Sequence, residues 1–218
     1  MPFHGIEAVL FDLDDTLLDR SSSFANYCEH LIDILFPNGL TVAVRDEVKQ
    51  VLIKYDENGY NPRNTFYREL IKEWNLPNNA IELEKEWIEK FDKYLIPEGG
   101  LIEILEYLSG KYKLGIITNG SSYMQNRKID GLGIRRFFQS IVVSEDVGIR
   151  KPEKEIFLLS CKELGTAAFS TVFVGDSFKI DIMGAVKAGL KAIWINKFLE
   201  NEEYLSVMSE LASIITLL

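Results

Sequence analysis

A chain of 218 residues, 47% of them hydrophobic and 26% charged, is long enough for one packed domain or for one domain carrying a sizeable insertion. Its formal net charge of −9 argues against nucleic-acid polymers and anionic membranes as partners, and means that any phosphate site needs local positive charge. Two histidines, His4 and His30, argue against a histidine-rich zinc centre, and two cysteines, Cys28 and Cys161, form no CxxC pair and no disulfide framework.

The opening Met-Pro-Phe-His-Gly lacks the basic and apolar regions of a signal peptide, and no apolar run reaches membrane length, so the cytoplasm is the expected location. The first predicted element is a strand, IEAVLFD at residues 6–12, an apolar run that ends abruptly in acid. A run this short, without polar alternation, suits a strand buried on both faces.

Residues 18–95 break the rhythm and contain no buried-strand pattern. Phe24, Tyr27, Cys28, Leu31, Ile32 and Leu35 follow a helical period, and later helical patterns centre on 48–55, 66–74 and 83–91. Breaks fall at Pro37-Asn38-Gly39, at 58–62 and at Pro77-Asn78-Asn79. The expectation is a cap of about four helices over residues 18–95, inserted into a core made of residues 1–17 and 96–218.

Pro97, Glu98, Gly99 and Gly100 mark the return to that core. Further short apolar runs follow at 114–119 (LGIITN), 140–144 (SIVVS), 171–176 (TVFVGD) and 192–196 (AIWIN). Between them, residues 153–164 read as a helix: Phe157, Cys161 and Leu164 share a face, Pro152 precedes the pattern and Gly165 follows it. Strands alternating with helices predict an α/β fold, a three-layer Rossmann-like core with a parallel sheet.

In such a core, ligands bind at the carboxyl ends of the strands, near the switch in strand order. The strand ends here carry Asp12, Asp14, Asp15 and Thr16; Thr118, Asn119 and Gly120; and Asp176 and Ser177, with Asp181 five residues beyond Asp176. Lys151-Pro152 lies on the loop after the third strand. Several carboxylates in one pocket repel one another unless some are protonated or a cation is shared. Oxygen donors and a phosphate-sized site favour magnesium.

These residues resemble the haloacid dehalogenase-like hydrolase superfamily at four motifs in the expected order: DLDDTL at 12–17, TNG at 118–120, KP at 151–152 and GDSFKID at 175–181. The cap position resembles that of the helical-cap phosphatase branch. The resemblance implies Asp12 as the nucleophile that accepts the phosphoryl group. It implies Asp14 as the acid that protonates the leaving alcohol and then activates water. The Asp12 carboxylate, the Asp14 carbonyl and Asp176 would hold magnesium, with Asp181 beside them. Thr118, Asn119 and the Asp15 N–H would hold phosphoryl oxygens, and Lys151 would neutralise charge. Dehalogenase members carry no acid at the Asp14 position, so its presence favours phosphate-ester hydrolysis.

The stretches 115–120 and 144–157 are similar to the branch containing pyrimidine 5′-nucleotidases and phosphoglycolate phosphatase-like members. The expected substrate is therefore a small phosphorylated metabolite, with a nucleoside monophosphate as one candidate. Arg20, Tyr60, Asn61 and Arg63, at the cap entry or on its central loop, are the candidate substrate contacts. The alternatives are a phosphomutase and a non-catalytic ligand- or partner-binding protein on the same fold. A monomer or homodimer is expected.

Overall fold

A computed structural model describes residues 3–196, 206–208 and 211–218 of the chain. The first apolar run forms β1 (Ala8–Phe11), and all four of its residues are buried. Its two faces feed different cores. Val9 and Phe11 cluster with Leu114, Ile116, Val172 and Val174, whereas Ala8 and Leu10 cluster with Ile117, Phe173 and Phe157. A strand that is apolar at every position satisfies its period of two only where both faces are covered.

After β1 the chain runs through α1 (Arg20–Leu35), α2 (Val42–Asp56), α3 (Arg63–Trp74) and α4 (Ala80–Lys90). These helices form one compact unit, Arg20–Ile96, and the other unit is Met1–Asp19 with Pro97–Leu218. The division falls two residues and one residue later than the composition breaks at 18 and 95. Leu18 bridges to Asp14 and to Pro97, which ties it to the sheet-bearing unit.

The helical unit closes around aromatic rings from different helices. Phe24 meets Phe66 and Trp87 at centroid distances of 6.0 and 5.8 Å, and Tyr27 meets Trp87 at 4.8 Å. Residues 24, 27, 28, 31, 32 and 35 are all buried because they share one stripe of α1. Asn79 starts α4 by accepting a hydrogen bond from the Ile81 N–H at 2.9 Å.

The sheet unit continues through α5 (Leu101–Ser109), β2 (Lys113–Thr118), α6 (Ser122–Gly131), β3 (Ser140–Val143), the single turn α7 (Ser144–Val147) and α8 (Lys154–Leu164). It ends with β4 (Thr171–Gly175), α9 (Met183–Lys187), β5 (Lys191–Ile195) and β6 (Ser206–Met208). Among the described residues every strand pair is parallel, in the order β3-β2-β1-β4-β5-β6. The α/β core expected from the alternation of runs is the fold observed. The sixth strand was not expected, since three residues carry no readable period. Helix α8 starts one residue later than predicted, because Glu153 is extended, and Gly165 closes it in the left-handed conformation.

From β1 the chain builds outward through β2 and β3 on one side of the sheet, then crosses back to place β4 against the other side of β1. The carboxyl end of β1 is therefore the switch point where an α/β sheet opens a crevice. No helix of the described residues is long and apolar enough to cross a membrane.

Candidate active site

Asp12 directly follows β1 and extends its pairing, donating its N–H to the Val174 carbonyl at 2.9 Å. The next residues turn tightly. The Leu13 carbonyl accepts from the Leu17 and Leu18 N–H groups, and the Asp15 N–H donates to the Leu18 carbonyl at 2.7 Å. Leu13 and Leu17 are fully buried and anchor this turn, while Asp15 takes a positive φ of 56°. The apolar anchors thus fix a loop whose acids are Asp12, Asp14 and Asp15.

Asp176 follows β4, and its carbonyl accepts from Trp194 Nε1 at 2.7 Å. A π-helical turn over Phe178–Ile182 brings Asp181 back under the strand end. There Asp181 Oδ2 accepts from the Ser177 N–H at 3.0 Å. A Cβ on Gly175 would lie 2.6 Å from the Asp181 side chain, so this approach requires glycine at 175.

Carboxylate oxygens of Asp12, Asp176 and Asp181 all lie within 4.8 Å of one another. The buried Lys151 ammonium stands 2.5 Å from Asp12 Oδ1 and 2.8 Å from Asp181 Oδ1. Its position is fixed by Asn119, whose Nδ2 donates to the Lys151 carbonyl at 3.0 Å and whose Oδ1 accepts from the Lys151 N–H at 2.9 Å.

One ammonium does not balance three carboxylates. Burial, reinforced by Asp181 and Asp176, pushes the Asp12 carboxyl well above the usual range despite Lys151. Burial and the charges of Asp181 and Asp15 push Asp176 up to about 7. Burial disfavours the Lys151 ammonium, but Asp12 and Asp181 outweigh it and hold its pKa above the ordinary lysine value. The unmet demand for positive charge, with oxygen donors only, suits a hard divalent cation.

A family model described as haloacid dehalogenase-like hydrolase matches residues 9–195. The chain belongs to that family. This hydrolase is 36% identical over 116 residues to pyrimidine 5′-nucleotidase YjjG of Escherichia coli K12, a match spanning 53% of this chain and about half, 52%, of that protein. It is 31% identical over 198 residues to glyceraldehyde 3-phosphate phosphatase of Methanopyrus kandleri, covering 88% of this chain and 84% of that one. Among solved structures, the magnesium-bound HAD-hydrolase YfnB of Bacillus subtilis superposes with a TM-score of 0.76 at 26% identity, over 97% of each chain. The chain is an enzyme, a phosphatase of the haloacid dehalogenase-like family.

On the β2 side of the hydrolase, Thr118 is buried and its Oγ1 accepts a hydrogen bond from Gln125 Nε2. Gly120, at φ 150°, leaves room for Gln125, since a Cβ there would lie 3.0 Å from that side chain. Gln125 Nε2 also donates to Asp14 Oδ2 at 3.0 Å. Lys128 Nζ donates to Asp14 Oδ1 and Oδ2 at 2.8 and 2.9 Å.

Gln125 and Lys128 lie outside the four sequence motifs. The available signal was their place beside Ile129 on one face of α6, at the spacing that buries a stripe.

Of the four candidate residues in the helical unit, Arg20 and Arg63 meet on one buried carboxylate, Asp56. Arg20 donates through Nη1 and Nη2 to Asp56 at 2.8 and 3.0 Å, and Arg63 reaches the same carboxylate. Burial opposes charge on Asp56, yet the two arginines hold it below the usual carboxylate range. The Arg63 guanidinium also stacks 4.0 Å from the Trp87 ring centroid. Asn61 Nδ2 donates to the Tyr55 carbonyl at 2.9 Å, and Tyr60 is exposed.

Proposed function

We propose that this hydrolase removes phosphate from a small-molecule monoester by way of an aspartyl-phosphate on Asp12, with magnesium as cofactor. The observation that carries this reading is the Lys151–Asp12 pair, set inside a carboxylate cluster that includes Asp176 and Asp181. A nucleophilic carboxylate, a fixed ammonium and a cation site would then share one edge of the sheet.

Asp12, Asp176 and Asp181 would hold the magnesium, together with the Asp14 carbonyl. When bound, the ion offsets the repulsion among the carboxylates and orients a phosphoryl oxygen. The YfnB structure, solved with magnesium, supports that choice of ion.

The free Asp12 oxygen attacks phosphorus, and Asp14 passes a proton to the departing alcohol. Asp14 then takes a proton from the water that releases inorganic phosphate. Lys151 balances charge on Asp12 and on the group in transfer. The Thr118 hydroxyl and the Asn119 backbone N–H hold phosphoryl oxygens; the Asp15 N–H, expected from the sequence to join them, is instead donated to the Leu18 carbonyl and closes the turn. The Asn119 side chain keeps Lys151 in place, since both ends of its amide are engaged by the Lys151 backbone.

The substrate is a small phosphorylated metabolite. Relatives named as a pyrimidine nucleotidase and a glyceraldehyde 3-phosphate phosphatase put nucleoside monophosphates and triose phosphates first on a substrate panel. The direct test is phosphate release from p-nitrophenyl phosphate with magnesium and with chelator. Activity is expected only with magnesium, and Asp12→Asn should abolish it. Wild-type turnover in Asp12→Asn would overturn the covalent route.

A further inference from the structure

Helix α6 carries two buried polar side chains to which the steps above assign nothing. Lys128 is 7% exposed and Gln125 is 2% exposed. Burying an ammonium and an amide is costly unless partners are built for them. The partner of both is Asp14. Its two oxygens accept from Lys128 at 2.8 and 2.9 Å, and Oδ2 also accepts from Gln125 at 3.0 Å. The same Gln125 Nε2 donates to Thr118 Oγ1. One amide group therefore links the proton carrier to the phosphate-holding hydroxyl. Because Thr118 Oγ1 accepts this bond, its own proton is left to point elsewhere, as a donor to a phosphoryl oxygen.

We propose that Lys128 and Gln125 are positioning residues that seat the Asp14 carboxylate for both proton transfers and set its distance from the phosphate held at Thr118. The inference rests on the phosphatase reading. A loop carboxylate otherwise has two torsions to explore, and three hydrogen bonds from two side chains of one helix restrict it.

In the first half-reaction the Asp12–phosphorus bond forms, the phosphorus–ester oxygen bond breaks, and the Asp14 proton goes to the departing oxygen. In the second, the water oxygen–phosphorus bond forms, the Asp12–phosphorus bond breaks, and the water proton goes to Asp14. One water is consumed, and alcohol and inorganic phosphate leave. A misplaced Asp14 slows both halves for a basic leaving group. For p-nitrophenolate, which departs without a proton, it slows only the second half.

The test compares p-nitrophenyl phosphate with phenyl phosphate, in magnesium, for wild type, Lys128→Met and Gln125→Leu. In Lys128→Met, p-nitrophenyl phosphate should give a burst of about one p-nitrophenolate per active site, followed by turnover slowed about tenfold or more. Phenyl phosphate should lose a larger factor in kcat and show no burst. Gln125→Leu should show the same pattern to a smaller degree. Affinity for vanadate, which needs no proton from Asp14, should stay within about twofold of wild type, which also reports an intact fold.

Equal losses on the two esters, or vanadate affinity falling in parallel with rate, would make the pair merely structural and overturn the proposal. So would a raised KM at unchanged kcat, which would make Lys128 a substrate anchor. Wild type inactive on both esters would overturn the phosphatase reading itself. An active wild type matched by Lys128→Met would overturn only this inference.

Discussion

The Lys151 ammonium stands 2.5 Å from Asp12 Oδ1 across 139 positions of sequence, and both groups are buried. An ion pair this enclosed is held by the sheet and in turn sets the charge of the strand end. Removing either partner strands the other in a low-dielectric site. Lys151→Met should therefore lower kcat/KM for p-nitrophenyl phosphate by about 10²-fold or more, the scale of losing a preorganised charge at a reacting group. Metal-free Lys151→Met should also unfold at a lower temperature than wild type. Steady-state kinetics and thermal unfolding in chelator check the two effects.

The proposed magnesium site should bind its ion in a pH-dependent way, because two of its carboxyls are raised. Asp176 is pushed up to about 7 and Asp12 is raised in the same direction, so the folded protein keeps protons that the unfolded chain has released. Stability from these two groups is fully present below the unfolded carboxylate range near 4 and declines as pH rises towards 7. Lys151, raised, withdraws its contribution only at alkaline pH, and Asp56, lowered, only below about 4. Magnesium needs the ionised carboxylates, so its stabilising shift in melting temperature should grow between about pH 5 and pH 8. Melting curves in chelator and in millimolar magnesium across that range test this. A shift independent of pH would contradict it.

Gly175→Ala should weaken magnesium binding more than it weakens the fold. The new Cβ would stand 2.6 Å from the Asp181 side chain, which must then swing away from Asp12 and Asp176. Overpacking of this kind costs about 1–3 kcal/mol. Urea unfolding measures that cost, and a magnesium titration of activity should show a raised half-saturation point.

Asp56→Ala should destabilise the helical unit by about 3–5 kcal/mol, because it strips Arg20 and Arg63 of the carboxylate they share. Chemical denaturation monitored through the tryptophans reads this, since Trp74 and Trp87 lie in that unit. An effect under 1 kcal/mol would mean that solvent reaches the two guanidinium groups readily.

Features that depend on neighbours in the chain could be read from the amino-acid string. The apolar runs of β1 and β4, the stripe from Phe24 to Leu35 and the cap glycine Gly165 each follow from a local period or a backbone preference. The acids at strand ends were legible for the same reason, because a parallel α/β alternation already puts strand ends on one edge.

Tertiary structure alone decided which side chains meet. Asp14 finds Gln125 and Lys128 across 111 and 114 positions, Asn119 grips the Lys151 backbone across 32, and Arg20 spends its guanidinium on Asp56 across 36. No periodicity encodes such pairs. They arise where crossovers and helix packing bring distant segments within hydrogen-bond reach, and burial then makes each polar group's partner obligatory.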